Sequence, residues 1–421
     1  MVGFRDVFAL REYRALWSAQ LASVAGDQLA RVALTVLVYA RTNSAFLSAA
    51  TFVASVIPIF LGGIVLAGLA DRFPRRAVMI TCDLVRCVLV LVMALPVMPV
   101  AALVALLFIV TFAGAPFTAA RSALYPEVLS GDRYVLGQTV TITTTQFAQV
   151  LGFGVGGAVV GFLGTPTSLV IDAATFAVSA LIVRVWVRWR PAPQNAETAG
   201  GARSGDAAAD ARSRPGGAAG GSTGGSTGAV RLVLRTPALL LPMLFGWLAA
   251  FYNAPEGVAA PLATSVGGGA TTIGVILAAQ VFGETAGLLV FGRLVRPAAR
   301  LRLMGPLAVA TCAVLVAFAA TPALGGMLAI LAVSGVLGAY QLAANAAFVS
   351  AVPQARRGAA FGLAQGGISL GQGLVMLAAG AAAGHFAPAD VIAVIGAVGA
   401  VCALIVALSW ARSRDGIPRS V

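Results

Sequence analysis

Lysine is absent from this chain: all 28 basic residues among the 421 are arginine. A Gly-x-x-x-x-Gly-Lys loop therefore cannot exist, which argues against intrinsic ATP-driven pumping. Histidine occurs once, at His385 near the loop before the last apolar run. That placement suits an external surface residue better than a proton carrier. Neither a His/Asp metal cluster nor a Ser/His couple with usable spacing can be assembled, so an enzyme is not expected. Cysteine is scarce too: Cys82, Cys87, Cys312 and Cys402 all lie in apolar runs and form no Cys-x-x-Cys pair. They read as small hydrophobes, with no disulfide framework, metal or cofactor implied. Only 10% of residues are charged, 59% are hydrophobic and the mean hydropathy is +0.93, which excludes a soluble domain of this length.

What is present is a series of long apolar runs. A helix needs about 20 apolar residues to cross the hydrocarbon core. Twelve runs qualify, at roughly 15–40, 46–68, 77–97, 100–121, 138–163, 167–187, 238–260, 271–292, 303–321, 325–349, 358–382 and 388–410. They are unbroken rather than alternating, so helices are expected and not barrel strands. The first run is too long and too polar at its centre for a cleaved signal peptide.

The arginines alternate across these runs. Arg5, Arg11 and Arg14, then Arg72, Arg75 and Arg76, then Arg133, the set from Arg184 to Arg235, Arg293 to Arg302, Arg356 and Arg357, and Arg412 to Arg419 occupy every second gap. The gaps between hold only Arg41. Positive charge stays on the cytoplasmic side, so both ends are expected there. The net charge of +13 is then a matter of topology and anionic lipid headgroups, not nucleic acid, because no interleaved basic-aromatic surface accompanies it. The Arg-only, Ala/Gly-rich usage fits a high-GC bacterial genome, so a bacterial cell (inner) membrane is the expected location.

Residues 191–234 divide six runs from six. They include Gly220-Gly-Ser-Thr-Gly-Gly-Ser-Thr227 and read as a flexible cytoplasmic linker between a bundle at 1–190 and one at 235–421. The halves keep a faint register: Arg75 and Arg300, and Gly137 and Gly362, are each 225 residues apart. A duplicated six-helix unit suits a carrier that alternates access between its halves.

The loop after the second run, Gly68-Leu-Ala-Asp71-Arg72-Phe-Pro-Arg75-Arg76, resembles the signature loop of the major facilitator superfamily. The match holds at Asp71, Arg72, Arg75 and Arg76, while the family's glycines fall at Ala67 and Pro74. The resemblance implies an all-α polytopic membrane protein, with 12 transmembrane helices as two pseudo-symmetric six-helix bundles. It also implies a cytoplasmic gate, in which Asp71 could meet the helix N-terminus after Arg357-Gly358. Arg296 stands in the second half where Asp71 stands in the first, so an asymmetric gate is expected. Arg121 and Glu127, with Asp83 and Arg86, are expected to complete that cytoplasmic cluster.

Further stretches narrow the resemblance. Gly26-Asp27, Asp83-Leu-Val-Arg86, Pro116-Phe-Thr-Ala-Ala-Arg121, Asp172-Ala-Ala-Thr-Phe176 and Gly362-Leu-Ala-Gln365 are similar to the branch holding macrolide-efflux and enterobactin-export permeases. The likeness runs over most of 5–190 and more thinly over 235–410. Gly152-Phe-Gly154-Val-Gly156-Gly157 resembles the antiporter motif of drug exporters, and close helix packing explains it equally well. The branch implies a secondary exporter of small amphipathic molecules (drug, macrolide or siderophore-like), driven by proton exchange and acting as a monomer. Alternatives are an importer or dedicated metabolite exporter of the same fold, or a non-transporting sensor or scaffold.

A charge near the bilayer centre costs at least about 2.5–3.5 kcal/mol, so it lines a cavity or finds a partner. Asp27 and Arg31 are four apart, on one face of the first helix. Burial and a neighbouring arginine pull the protonation of Asp27 in opposite directions, so it is a proton-coupling candidate or half of a fixed pair. Glu284, one turn after Gln280, is the second coupling candidate. Tyr252, Asn253 and Glu256 could form a substrate wall, or Glu256 a solvated rim. Gln280, Gln341, Asn345 and Gln365 add uncharged polar groups to the candidate cavity. Asp172 is given a structural role.

Overall fold

The computed structural model describes residues 4–66, 68–192, 231–320, 323–353 and 357–415, without the side chains of Phe4, Asp71, Asp132, Val135, Pro297, Ala298, 357–359, Arg414 and Asp415. Among the described residues 87% are helical and none is in a strand. Ten helices are long and apolar enough to cross a membrane.

The first bundle begins with α1 (Arg11–Thr42), preceded by a short helix at Phe4–Phe8. Asn43 ends α1 in the left-handed region at φ 49, where its amide bonds the Tyr39 carbonyl. Asparagine tolerates that region better than a branched residue does. Ser44 then caps the next helix by accepting from the Leu47 amide, so α1 turns directly into α2 (Ala45–Val65). α3 (Arg75–Met93) and α4 (Val100–Val128) follow. α3 carries Arg75, Arg76, Asp83 and Arg86, and so it is not among the ten. Asp132–Trp186 is continuous except at Gly164, with φ 78 and ψ 167. A side chain is strained there. The chain reverses at Gly164 into α5 (132–163) and α6 (165–186). Counting α3 and dividing this helix gives the twelve segments read from the apolar runs.

The second bundle holds α7 (Pro237–Gly257), α8 (Ala270–Leu294), α9 (Pro297–Ala313, continued as a 3₁₀ turn to Ala320), α10 (Leu324–Ala351), α11 (Arg357–Ala382) and α12 (Pro388–Asp415). α7 is interrupted at Leu248 and Asn253, before Ala259–Ser265 carries the chain on. The linker expected at 191–234 falls mainly in residues 193–230, outside the described ones.

The bundles touch along α5–α8 and α2–α11. At the first contact two glycines cross: a β-carbon on Gly157 would stand 2.7 Å from the Gly274 Cα. Three residues nearer the arginine-rich end, one on Gly154 would have 3.7 Å to the Ala278 β-carbon. At the second contact, a β-carbon on Gly380 would lie 2.6 Å from that of Ala49, while one on Gly362 would meet nothing within 4 Å. The last turn of α2 is uncovered, with Ile64 65% and Val65 67% exposed. The halves thus cross backbone to backbone away from the arginines, and α2 and α11 still meet at Gly366, where a β-carbon would run into the Phe60 ring.

Candidate functional site

Midway along α1 and α3, a buried arginine meets a half-buried carboxylate. Arg86 sits eleven residues beyond Arg75, about 17 Å along the helix. Its guanidinium donates to Asp27 at 2.6 Å and to the Ser23 hydroxyl at 3.2 Å. It lies 4.0 Å over the Phe176 ring of α6, a cation–π contact that fixes its plane. Asp83, one turn earlier on α3, is fully buried and 3.8 Å from the same guanidinium. Asp83 also lies beside the buried Ser179 hydroxyl of α6. Asp172 is buried beside them, bonded by the Thr175 hydroxyl at 3.4 Å. Gly26 lets α1 approach this point, since a β-carbon there would collide with Thr175 and Asp172.

Ser23, Asp27, Arg86 and Asp172, with Gln20 and Arg31, line a cavity of about 100 Å³ among α1, α2, α3, α4 and α6. That is room for a few waters at about 30 Å³ each. Arg31 points across it, donating to the Ser55 carbonyl at 3.3 Å and lying 5.9 Å from the Phe52 ring. The pairing expected from the four-residue spacing is corrected here. Asp27 takes Arg86 as its ion-pair partner, and Arg31 is within electrostatic reach of both Asp27 and Glu256 of the other bundle. Arg86 and Asp83, placed by sequence with the gate, are also relocated to this interior site.

In the second bundle the amides act as clamps. Gln280 donates to the Tyr252 carbonyl at 3.0 Å and to the Asn253 side chain at 2.6 Å. The Gln341 amide reaches the Phe245 and Gly246 carbonyls at 3.3 and 3.2 Å and the Tyr252 hydroxyl at 3.3 Å. Tyr340 donates to the Phe245 carbonyl at 3.1 Å. Breaks in α7 free carbonyls that would be costly unpaired in a membrane interior, and these side chains satisfy them. Glu256, in the interrupted part of α7, and Glu284, one turn past Gln280, interact electrostatically with each other. Glu256 is half-buried and faces Arg31, so it is part of the interior and not a rim. Tyr252, Asn253, Gln280 and Gln341 are brought together; Asn345 and Gln365 are exposed, outside this cluster.

The arginine-rich end carries a separate network. Arg75 pairs with Glu127 and donates to the Ala123 carbonyl at 3.0 Å. Arg190 joins Glu127 at 3.3 Å and clasps Glu12 at 2.6 and 3.0 Å. The hydrogen-bonded Glu12 carboxylate holds the Arg190 guanidinium above its ordinary pKa. Arg76 donates to the Arg184 carbonyl. Arg72 is exposed, and Arg121 is buried 5.9 Å from the Phe117 ring, with two guanidinium nitrogens unpaired. This network ties α1, α3, α4 and the end of α6 within the first bundle. The Asp71 side chain and those of Arg357-Gly358 lie outside the described residues.

Sequence reasoning missed Ser23, Tyr340, Glu12 and Arg190. It also assigned Arg86 to the membrane edge, although its depth in a charged helix marked it as interior. Among the described residues no group of three or more His, Cys, Asp or Glu side chains could hold a metal ion.

A family model described as the Major Facilitator Superfamily matches residues 16–256. The Bacillus subtilis (strain 168) protein described as "Uncharacterized MFS-type transporter YkuC" is 25% identical over 183 residues, covering 42% of each chain. The chain thus spans about two-fifths of the length of that curated relative. Several solved transporters share the fold at low identity. A POT family transporter in complex with 5-aminolevulinic acid has a TM-score of 0.72 at 11% identity, covering 97% of this chain and 98% of its own. The nucleoside transporter NupG gives 0.69 at 16%, covering 94% and 98%. An inward-facing, occupied bacterial homolog of the human lysosomal transporter Spinster gives 0.69 at 16%, covering 96% of each.

Proposed function

The chain belongs to the Major Facilitator Superfamily and is a membrane transporter of that type, and from this premise we propose that it exports small amphipathic molecules in exchange for protons. The observation that carries the coupling is a line of charges crossing the halves at the middle of the membrane. Asp83, Arg86 and Asp27 follow one another in the first bundle, Arg31 stands at the boundary, and Glu256 and Glu284 continue the line in the second. A proton on Asp27 releases Arg86 toward Asp83 and Asp172. A proton on Glu256 releases Arg31 from the second bundle. Either event changes the electrostatic tie across the boundary, and rocking of the halves follows. Export and the drug, macrolide or siderophore-like class rest on the motifs of residues 5–190. The arginine-rich end is, in this reading, the cytoplasmic face of a bacterial inner membrane, with both termini there. The proton gradient supplies the energy, no cofactor takes part, and the monomer is the working unit.

The test uses purified protein in liposomes with an inside-acid pH step. A lumenal dye follows protons while lipophilic cations, macrolides and siderophore-like compounds are added. Substrate-dependent proton flux that vanishes in Asp27→Asn, Glu256→Gln or Glu284→Gln supports antiport and names the coupling acid. Substrate movement without proton flux would overturn the coupling and leave a uniporter.

A further inference from the structure

We propose that the first bundle carries a binding site for one anionic phospholipid, on the face of α1 turned away from the charged cavity. The site has two neighbouring parts. At the arginine-rich end, a cavity of about 550 Å³ is lined by Phe8, Arg11, Arg14, Trp17, Ser18 and Trp186. No acidic side chain lines it, and the ion pairs of this end, Glu12–Arg190–Glu127–Arg75, leave Arg11 and Arg14 aside. Both arginines are exposed. Phe8 packs edge-on against Trp17 at 5.2 Å, so the aromatic wall is built and not loose.

The second part is an apolar groove, also about 550 Å³, running on among α1, α5 and α6. Leu21, Ala25 and Leu29 line it from α1, Phe147 and Leu151 from α5, and Ile171 from α6. Trp17 joins the two parts, because its indole donates at 2.9 Å to Thr144, which lines the groove. The helical register agrees. Arg14 and Ala25 are eleven residues apart, as are Thr175 and Trp186, so each pair lies on one face after about three turns. Ala25 and Leu29 are each two residues from Asp27, about 200° round the helix, so the groove is separate from the transport path.

Length and charge select the occupant. From Leu21 to Leu29 the groove runs about 12 Å, close to half of a hydrocarbon core about 30 Å thick. The head cavity therefore sits at headgroup level while the groove takes the chains of one leaflet. Two guanidiniums with no ion-pair partner within 4 Å among the described residues favour a phosphodiester whose headgroup bears no compensating cation. Trp17 and Trp186 suit the interface between the two regions.

The experiment uses the purified full chain in detergent, with bound lipid read by native mass spectrometry. Dioleoylphosphatidylglycerol, dioleoylphosphatidylcholine and inorganic phosphate are the probes. Phosphatidylglycerol is expected to bind at least about tenfold tighter than phosphatidylcholine. Arg11→Gln/Arg14→Gln should weaken phosphatidylglycerol binding by about 30-fold and remove the preference. Arg293→Gln/Arg302→Gln, on the same membrane end of the other bundle, should leave it unchanged. Ala25→Phe, which fills the groove, should weaken both lipids, and millimolar inorganic phosphate should displace neither. Equal binding of the two lipids, or an equal effect of both arginine pairs, would overturn the site. Displacement by inorganic phosphate would overturn the lipid in favour of free phosphate.

Discussion

Among the described residues, every ion pair closer than 4 Å lies in the first bundle, while Glu256 and Glu284 of the second have no arginine of their own bundle beside them. The contrast extends to related positions. Arg75 meets Glu127, whereas Arg300, 225 residues on, donates to the Val295 and Gly292 carbonyls at 2.8 and 2.6 Å and so closes the end of α8. One bundle settles its interior charges internally. The other uses its amides to hold the broken backbone of α7, and its Glu256 looks to Arg31 across the boundary for a counter-charge. The two six-helix halves thus differ: one balances its interior charges itself, and the other draws on its partner.

Removing the guanidinium that three carboxyl groups share tests this contrast most severely. Arg86→Leu should cost about 3–5 kcal/mol, the loss typical of breaking a buried pair, and should lower the thermal midpoint followed by size-exclusion chromatography. Arg86→Leu combined with Asp27→Asn should recover part of that loss, and a strictly additive pair would deny the interaction. In the second bundle the largest stability effect should come from a clamp instead of a charge. Gln341→Ala leaves the Gly246 carbonyl without its partner and should cost about 1–3 kcal/mol in the same measurement.

Smaller still is Glu127→Gln. The carboxylate is 38% exposed, so solvent screens it and the stability change should stay below about 1 kcal/mol. Its visible effect should be on conformation, with altered modification of cysteines placed at the arginine-rich end. The least destabilising change should be Glu256→Gln, near zero in thermal midpoint, because no arginine is held within 4 Å of it. Substrate-dependent proton flux should nevertheless fall. A large stability loss there would erase the proposed distinction between the bundles.

The helical plan could be read from the chain because a membrane demands long apolar runs, and even the α5–α6 break was visible as Gly164-Thr-Pro166 between two runs. Partner choice could not. Asp27 and Arg31 are correctly on one side of α1, but spacing along a helix is silent about which neighbouring helix offers a better ligand. Arg86 wins because Ser23 and Phe176 hold its guanidinium in place, and those two residues come from α1 and α6. The amide clamps were legible only as polar positions, since the carbonyls they satisfy exist only where α7 breaks. Arg75 and Glu127 were assigned to one cluster from their shared membrane edge. Glu12 and Arg190 were missed because nothing in sequence brings the chain after α6 back to α1.

The crossing of Gly157 and Gly274 has a mechanical consequence. Two backbones touch there with no side chain between them, so one helix can roll on the other without unlocking interdigitated groups. The crossing lies far from the arginine-rich end, which makes α5 a long lever. From Gly157 to Leu136 is about 32 Å of helix, and a turn of about 10° at the crossing would carry the far end through about 5 Å. A contact built from the smallest residue thus converts a slight angular change at one surface of the membrane into an opening wide enough for a side chain's passage at the other.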